Sequence, residues 1–230
     1  MSKSIAFIPA RGGSKGIPQK NKKMFCGKPL VQWSIDQAKE SGVFDKIVVS
    51  SDDSDILKIA ASCGVDVDER SPELAQDGTR LDDVMLDYFT REDNRCDYIC
   101  LLQPTSPLRS VDDIKEGFTE IKKKRNWSVV GVTWNPIMGW VENATSKGST
   151  CLYLIADRPN RQNRDNFYLE NGALYWVKFN LFMNMRNRVV NPSKAKLHIM
   201  PPERSVDLDS PFDWLVAEKA YEYINSSVAA

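Results

Sequence analysis

Short apolar runs alternate with amphipathic stretches along the first 133 residues of the chain. The apolar runs are short and end in turn-forming residues, which predicts buried strands, and the stretches between them carry apolar residues at helical spacing. Gly42 and Gly64 are the expected stop signals of two of these helices. The predicted strands are 5–9, 46–51, 65–68, 98–103 and 128–133, and the predicted helices are 29–41, 55–63, 81–89 and 111–124. This alternation is typical of an α/β fold with a mostly parallel sheet covered by helices.

The alternation breaks after Thr133. Residues 134–168 mix aromatic residues, Pro, Asn and Gly around one apolar run, which predicts an irregular excursion containing a hairpin. We expect this excursion to form a dimer contact or to cover a substrate. Strand-like patterns return at 172–177 and 197–200, and a last helix is predicted over 211–224. Without a linker between these segments, residues 1–230 are expected to form a single domain.

The charge balance and the cysteines narrow the class of protein. The chain has 31 Lys and Arg and 31 Asp and Glu, so its formal net charge is zero. We therefore expect no general nucleic-acid partner, and any anionic ligand must meet a local cluster of positive charge. Five cysteines without a CxxC pair and a single histidine indicate free thiols rather than a zinc site. The first apolar run is too short for a signal segment or a membrane span, so a cytoplasmic protein without a membrane partner is expected.

The first predicted strand runs directly into a glycine-rich turn that carries three cations. Its glycines would let backbone N–H groups approach a ligand, while Arg11, Lys15 and Lys20 supply positive charge. Ligands bind at the carboxyl ends of strands in open α/β sheets. The spacing is neither a Walker A loop nor a dinucleotide fingerprint. The pattern favours a triphosphate site, and the alternative is an exposed basic loop.

Two aspartates near the end of the chain, Asp207 and Asp209, stand two residues apart. On an extended segment their side chains point to the same face, so both can approach one cation. Hard oxygen ligands completed by substrate phosphates suit Mg²⁺. The alternative is a solvated acidic turn. Asp213 falls in the first turn of the last predicted helix, where capping is the favoured role.

Seven motifs, in order along the chain, resemble those of the acylneuraminate cytidylyltransferases. They are IPARGGSKGIPQKN (8–21), GKPL (27–30), VVSSDD (48–53), ERSPELAQD (69–77), LLQPTSPLR (101–109), NGALY (171–175) and SVDLDSPFDW (205–214). That family makes CMP-sugars from CTP and nine-carbon acidic (nonulosonic) sugars such as sialic, legionaminic and pseudaminic acids. The resemblance implies a Rossmann-like three-layer sandwich of the nucleotide-diphospho-sugar transferase type. It also implies a Mg²⁺ cofactor and a homodimer joined through the excursion.

The resemblance further implies roles for individual residues. The expected CTP-binding residues are Ala10, Arg11, Gly12, Gly13, Lys15, Lys20, Asn21 and Arg70, with Ala10 and Arg70 around the cytosine. Asp207 and Asp209 correspond to the metal-binding aspartates, and Arg11, Lys20, Asp207 and Asp209 form the expected catalytic set. Gln103 and Arg161 correspond to sugar-contacting positions.

Three departures from the sialic-acid members fall on the sugar side of the expected site. Residues 78–81 replace a hydroxyl-rich run, Leu169 stands where an arginine is expected, and Ile137 where a lysine is expected. The particular nonulosonic acid therefore stays open. The alternatives to this family are a cytidylyltransferase for the eight-carbon sugar Kdo and a non-catalytic nucleotide-binding module on the same fold.

Three conspicuous polar residues are expected to have structural roles. Asp52 is expected to cap the helix predicted at 55–63. Arg109 is expected to be an ion-pair partner, and His198, within an apolar strand-like context, to be a satisfied core or edge residue.

Overall fold

The structure, a computed structural model, describes residues 2–91, 94–135, 140–142, 148–151 and 167–227. Within these ranges the strands are β1 (Ser4–Pro9), β2 (Met24–Phe25), β3 (Lys28–Pro29), β4 (Lys46–Ser51), β5 (Asp66–Glu69), β6 (Tyr98–Leu101), β7 (Ser128–Trp134), β8 (Trp140–Glu142), β9 (Ser149–Cys151), β10 (Tyr168–Lys178) and β11 (Ala195–Met200). The helices are α1 (Leu30–Ser41), α2 (Ser54–Ser62), α3 (Leu81–Thr90), α4 (Val111–Ile121), α5 (Phe179–Met185) and α6 (Pro211–Ser227).

Seven of the described strands form one sheet in the order β11-β7-β10-β6-β1-β4-β5. Strand β1 lies at its centre and pairs in parallel with β4 and β6, so that Phe7 is level with Val48 and with Leu101. Only β10, among these seven strands, runs against its neighbours β6 and β7. The prediction of a mostly parallel sheet is confirmed.

Helices cover both faces of this sheet, and the alternation of side chains along β1 shows why. Ala6 and Ile8 are buried in a cluster with α1, α2 and α4, whereas Ile5 and Phe7 are buried in a second cluster with α3 and α5. Successive strand residues point to opposite faces, so an entirely apolar strand needs cover on both sides. The expected three-layer sandwich is therefore present.

Strand β10 begins four residues before the strand-like pattern that predicted it. The pairing with β7 shifts register between Glu170 and Tyr175. Gly172 lies in this interval at a φ of +69°, a conformation that favours glycine. The bulge interrupts the alternation on which the prediction relied, and the earlier residues are held by a strand distant in sequence. Helix α5 and the small β2–β3 ribbon were not predicted either.

The excursion at 134–168 lies largely outside the described residues. Its described parts include an antiparallel pair, β8 with β9, in agreement with the hairpin expected there. The dimer contact and the single-domain assignment remain predictions. Among the described residues no helix has both the length and the apolar character that crossing a bilayer requires.

The cap of helix α2 is Asp53, so the expectation for Asp52 was wrong. The Asp53 carboxylate accepts from the backbone N–H groups of Asp55 (2.8 Å) and Ile56 (3.2 Å) and pairs with Lys22 at 2.9 Å. The Asp52 carboxylate instead accepts from the backbone N–H of Gly12, at 3.0 Å. Two adjacent aspartates offer the same sequence signal, and only the start of the helix decides between them.

We expect Asp53→Ala to lower the free energy of unfolding by about 1 kcal/mol, the usual value of an N-cap. Although partial burial opposes it, hydrogen bonds from Lys22 and from the helix backbone lower the pKa of Asp53. Its ionised form therefore stabilises the fold above the ordinary Asp pKa of about 3.9, and this contribution is lost as pH falls through the lower folded value. Urea unfolding should thus show the difference from wild type narrowing below about pH 4. Asp52→Ala is the matched control, with a change below about 0.5 kcal/mol.

Candidate active site

A cleft of about 270 Å³ opens where β1 and β6 end. Pro9, the last residue of β1, and Gln103, two residues beyond β6, both line it. Of the residues expected to form the site, Arg11, Lys20, Asn21, Arg70 and Gln103 line this cleft. It lies at the carboxyl ends of parallel strands, where this topology binds ligands.

The turn after β1 is held in place through its backbone. The N–H of Ala10, a fully buried residue, donates to the carbonyl of Ser50 at 2.9 Å, which ties the turn to β4. A Cβ at Gly12 would lie 2.8 Å from the Cβ of Asp53, and a Cβ at Gly16 would collide with the carbonyl oxygen of Asp209. These two glycines are therefore required by close approach, whereas a Cβ at Gly13 would meet open space.

Arg11 and Lys15 meet the same carboxylate, that of Asp77. Arg11 Nη1 lies 2.7 Å from Oδ1 and Lys15 Nζ lies 2.5 Å from Oδ2. Hydrogen bonds from Lys15 and Arg11 lower the pKa of Asp77. Lys15 is 84 % exposed, so its ammonium is accessible from solvent. Two of the three cations expected to bind a triphosphate thus share one carboxylate, that of Asp77, which lines the cleft.

Lys20 is buried, and its ammonium contacts the 205–210 segment rather than Asp77. Its ammonium donates to the carbonyl oxygen of Leu208 and lies 3.3 Å from the carboxylate of Asp209. The next residue, Asn21, donates from its amide to the carbonyl of Arg11 at 2.9 Å. Lys20 therefore joins the glycine-rich turn to the segment that carries the two predicted metal-binding aspartates.

Asp207 and Asp209 lie in different environments. Burial raises the pKa of Asp207, against a hydrogen bond from the Thr105 side chain, and the charge of Asp209 raises it further. One oxygen of Asp207, Oδ1, is buried and has no hydrogen-bond partner among the described residues. Asp209 is 78 % exposed beside Lys20. The two carboxylates are thus close enough for the charge of one to affect the other, and their joint binding of a cation stays a prediction.

These two aspartates fit a magnesium ion. A buried carboxylate oxygen without a partner has unmet capacity for a cation. No group of three or more His, Cys, Asp or Glu that could hold a metal occurs in the part of the chain that the structure describes. A metal at Asp207 and Asp209 would therefore need phosphate oxygens and water to complete its shell, which is the habit of Mg²⁺.

Arg70 and Gln103 line the cleft from the strands that end beside it. Arg70 is buried, and its Nη2 donates to the carbonyl of Ser50 at 2.6 Å. Its Nε–H has no partner among the described residues, and burial lowers its pKa. Gln103 donates from Nε2 to the carbonyl of Gly172 at 3.1 Å. Arg161, the second residue expected on the sugar side, lies outside the described residues, as does Ile137.

Arg109 is structural, but among the described residues it makes hydrogen bonds to neutral groups rather than the ion pair that was expected. Its fully buried guanidinium donates to Ser34 Oγ (2.7 Å), to Gln37 Oε1 (2.9 Å) and to the carbonyl of Ala173. Burial lowers its pKa to about 10. These acceptors are a hydroxyl, an amide oxygen and a backbone carbonyl, so all three are neutral. Helix α1 and strand β10 supply them. Arg109 joins α1 to β10 directly behind the cleft.

The expectations for His198 and Asp213 are confirmed. His198 is buried on β11, and its Nε2 lies 2.9 Å from a carboxylate oxygen of Asp113 on α4. Asp213 accepts from the backbone N–H of Ser210 at 2.7 Å, and its own N–H donates to Ser210 Oγ at 3.3 Å. This reciprocal pair caps α6.

Asp77 and Thr105 had no predicted role, although both stand in the motifs shared with the family. Both line the cleft: Asp77 holds Arg11 and Lys15, and Thr105 supports Asp207. Asp77 is 66 residues from Arg11. Its only sequence signal was an aspartate in a motif shared with the family, and that signal does not reveal the partner.

Comparisons with known proteins identify the family of the chain. The sequence matches the cytidylyltransferase family over residues 5–197. It is 38 % identical to the N-acylneuraminate cytidylyltransferase A of Danio rerio over 93 % of this chain, but the match spans only 50 % of that relative's length. It is 34 % identical to the CMP-N,N'-diacetyllegionaminic acid synthase of Legionella pneumophila, over 95 % of this chain and 96 % of that protein.

The fold is also that of a solved nucleotidyltransferase. The structure of CMP:2-keto-3-deoxy-manno-octonic acid synthetase in complex with CTP superimposes with a TM-score of 0.69 at 17 % identity, covering 96 % of this chain and all of that one. The identity is low, so this likeness concerns the fold alone. On the family match and the full-length Legionella relative, the chain belongs to the cytidylyltransferase family, in the group that contains the N-acylneuraminate cytidylyltransferases.

Proposed function

We propose that the chain transfers the cytidylyl group of CTP to the anomeric hydroxyl of a nonulosonic acid and releases pyrophosphate. The observation that carries this proposal is the contact between Lys20 and the 205–210 segment, where the ammonium lies 3.3 Å from Asp209. It joins a basic, glycine-rich turn that lines the cleft to an acidic segment near residue 209. A triphosphate needs cations for its phosphates, and the acidic segment offers a place for a metal that shares them.

The residues of the turn would bind and orient the triphosphate. Arg11 lines the cleft, Lys15 is exposed and shares Asp77 with it, and a fork of Arg donors beside a Lys ammonium suits phosphate oxygens. Lys20, held by Leu208 and Asp209, would keep one positive charge fixed where the leaving pyrophosphate gains charge. Phosphoryl-type transfer depends mainly on such positioning and charge neutralisation.

Asp207 and Asp209 would hold the Mg²⁺ ion, which when bound neutralises charge on the α-phosphate and lowers the pKa of the attacking hydroxyl. Thr105 would keep Asp207 in place, since its side chain donates to that carboxylate. Arg70, which lines the cleft, would contact the base, and Ala10, whose N–H is bonded to β4, would define the edge of the base pocket.

The sugar would bind on the side of Gln103. In the proposal this amide contacts the sugar, as does Arg161. Leu169 is partly exposed and neutral on β10, where sialic-acid members place an arginine. The acidic sugar would therefore be held differently here.

The proposal includes a homodimer formed through the 134–168 excursion, measurable by light scattering. It also includes a cytoplasmic setting, with which the free thiols of Cys26, Cys63, Cys96 and Cys100 agree.

Pyrophosphate release from CTP tests the proposal. We expect release with at least one of sialic, legionaminic and pseudaminic acid, and a loss of more than about 100-fold after chelation that added Mg²⁺ restores. UTP in place of CTP serves as the control for the base. Release with Kdo alone would move the chain to the eight-carbon sugar. Tight CTP binding without release on any sugar would identify a binding module.

A further inference from the structure

We propose that Asp77 is a positioning residue: its carboxylate competes with phosphate for Arg11 and Lys15, yields these cations to the triphosphate, and takes them back as pyrophosphate leaves. The inference rests on the proposed function and assigns a role to a residue that neither spacing nor charge pattern had singled out.

The contact geometry is that of a competitor for the phosphates. Each oxygen of Asp77 holds one cation, Oδ1 with Arg11 at 2.7 Å and Oδ2 with Lys15 at 2.5 Å. Asp77 and Arg11 both line the cleft. Carboxylate and phosphate oxygens bind the same guanidinium and ammonium donors. A triphosphate that engages Arg11 and Lys15 must therefore displace Asp77 from them.

Arg11 and Lys15 can exchange Asp77 for phosphate, because all three side chains are accessible to solvent. The side chains of Arg11, Lys15 and Asp77 are 35 %, 84 % and 46 % exposed. Exposed ion pairs are weak, so a multiply charged anion can replace the carboxylate. Lys20 differs, since it is buried against Leu208 and Asp209. The site thus has one cation held by the fold and two whose partner can change.

Asp77 is not needed to shape the loop in which it lies. The Thr79 N–H donates to the carbonyl of Gln76 at 3.1 Å, and Thr79 Oγ1 donates to the carbonyl of Glu73 at 3.2 Å. The Gln76 amide donates to the carbonyl of Pro72 at 2.9 Å. These bonds hold residues 72–79 without the carboxylate. The loop should therefore keep its shape when the ion pairs of Asp77 to Arg11 and Lys15 break, so phosphate can replace the carboxylate at these cations.

The expected result is tighter pyrophosphate binding when the charge is removed. Because Asp77 is ionised and competes for both cations, Asp77→Asn should lower the Kd for inorganic pyrophosphate by about 3- to 10-fold, the scale of two exposed ion pairs. Calorimetric titration without a sugar measures this directly. In turnover, the same variant should show stronger product inhibition by pyrophosphate. Asp77→Glu, which keeps the charge, should stay within about twofold of wild type.

Two further variants complete the test. Glu222→Gln removes an exposed carboxylate that pairs with Lys219 on α6 at 2.8 Å, far from the turn in sequence, and should leave pyrophosphate binding unchanged. Asp77→Ser repeats the comparison with a second neutral side chain. Pyrophosphate binding by Asp77→Asn and Asp77→Ser that equals or falls below that of wild type would overturn the inference, because Asp77 would then merely orient Arg11 and Lys15.

The outcomes also separate this inference from the proposed function. If wild type binds CTP and pyrophosphate but neither neutral variant binds pyrophosphate more tightly, only the role of Asp77 is wrong. If wild type binds neither compound, the triphosphate site itself is wrong, and the role of Asp77 falls with it.

Discussion

Asp207→Asn is expected to lower CTP-dependent pyrophosphate release on the order of a thousandfold while leaving the fold intact or slightly more stable. The amide has nearly the shape of the carboxylate but cannot supply a negative charge to a metal. The loss should appear in kcat, because neutralising charge on the α-phosphate matters most in the transition state.

The expected effect of Asp207→Asn on the stability of the fold follows from the burial of this side chain. Burial raises the pKa of Asp207, and its Oδ1 has no partner within the described residues, so the ionised form is held at a cost. An uncharged amide at this position avoids part of that cost, and thermal unfolding at neutral pH measures the difference. Loss of activity without loss of stability is typical of a residue whose environment serves function.

Asp112→Asn is the matched control for this substitution, because Asp112 is 82 % exposed and lies 4.0 Å from its nearest cation, Lys115. It should change neither activity nor stability measurably. Near-wild-type pyrophosphate release from both Asp207→Asn and Asp209→Asn would contradict the metal assignment. If Asp209→Asn retained pyrophosphate release and Asp207→Asn did not, the essential charge would be that of Asp207.

Arg109→Met is expected to have the largest effect on stability, a loss of about 3–5 kcal/mol, because three buried acceptors lose their donor at a cost of about 1–3 kcal/mol each. The substitution leaves the acceptors on Ser34, Gln37 and Ala173 buried and unpaired. For a chain of 230 residues this corresponds to a fall in Tm on the order of 10 °C. Differential scanning calorimetry gives both quantities.

Arg125→Met provides the control for the loss of an arginine as such, since Arg125 is exposed beyond the end of α4. Its Tm should stay within about 2 °C of wild type. If Arg109→Met unfolded at the same temperature as Arg125→Met, the network behind the cleft would contribute little to the fold. Arg109→Lys should remain well below wild type, because one ammonium cannot reach all three groups.

Much of the fold could be predicted from the sequence, because buried strands and amphipathic helices follow from local patterns. Strands β1, β4 and β6 are apolar runs ended by turn residues, and their bounds came out within two residues. Helix α5 could not be predicted in the same way. It has seven residues, and packing against α3 and β10 contributes to its stability.

In the candidate site, too, residues placed by local patterns could be predicted, and contacts between distant segments could not. Residues in or directly after a strand, such as Arg11 and Gln103, were placed at the cleft because topology brings strand ends together. Partners distant in sequence were not predictable. The pairing of Asp77 with Lys15 and the neutral acceptors around Arg109 arise only when separate elements meet. Asp52 and Asp53 show a finer limit of prediction from sequence. Which of these two adjacent aspartates caps α2 depends on the residue at which the helix begins, and local patterns do not define that residue.

The contact between Lys20 and the 205–210 segment also bears on how the protein is made. Lys20 and Asp209 are separated by 189 residues. At a synthesis rate of about 5–20 residues per second, roughly 10–40 seconds pass between the two. Throughout that time the nascent chain has the basic turn but not the acidic segment that completes the site. On the proposed function, a chain whose synthesis stops before Asp207 would keep the basic turn but lack the acidic segment, and it would therefore be inactive.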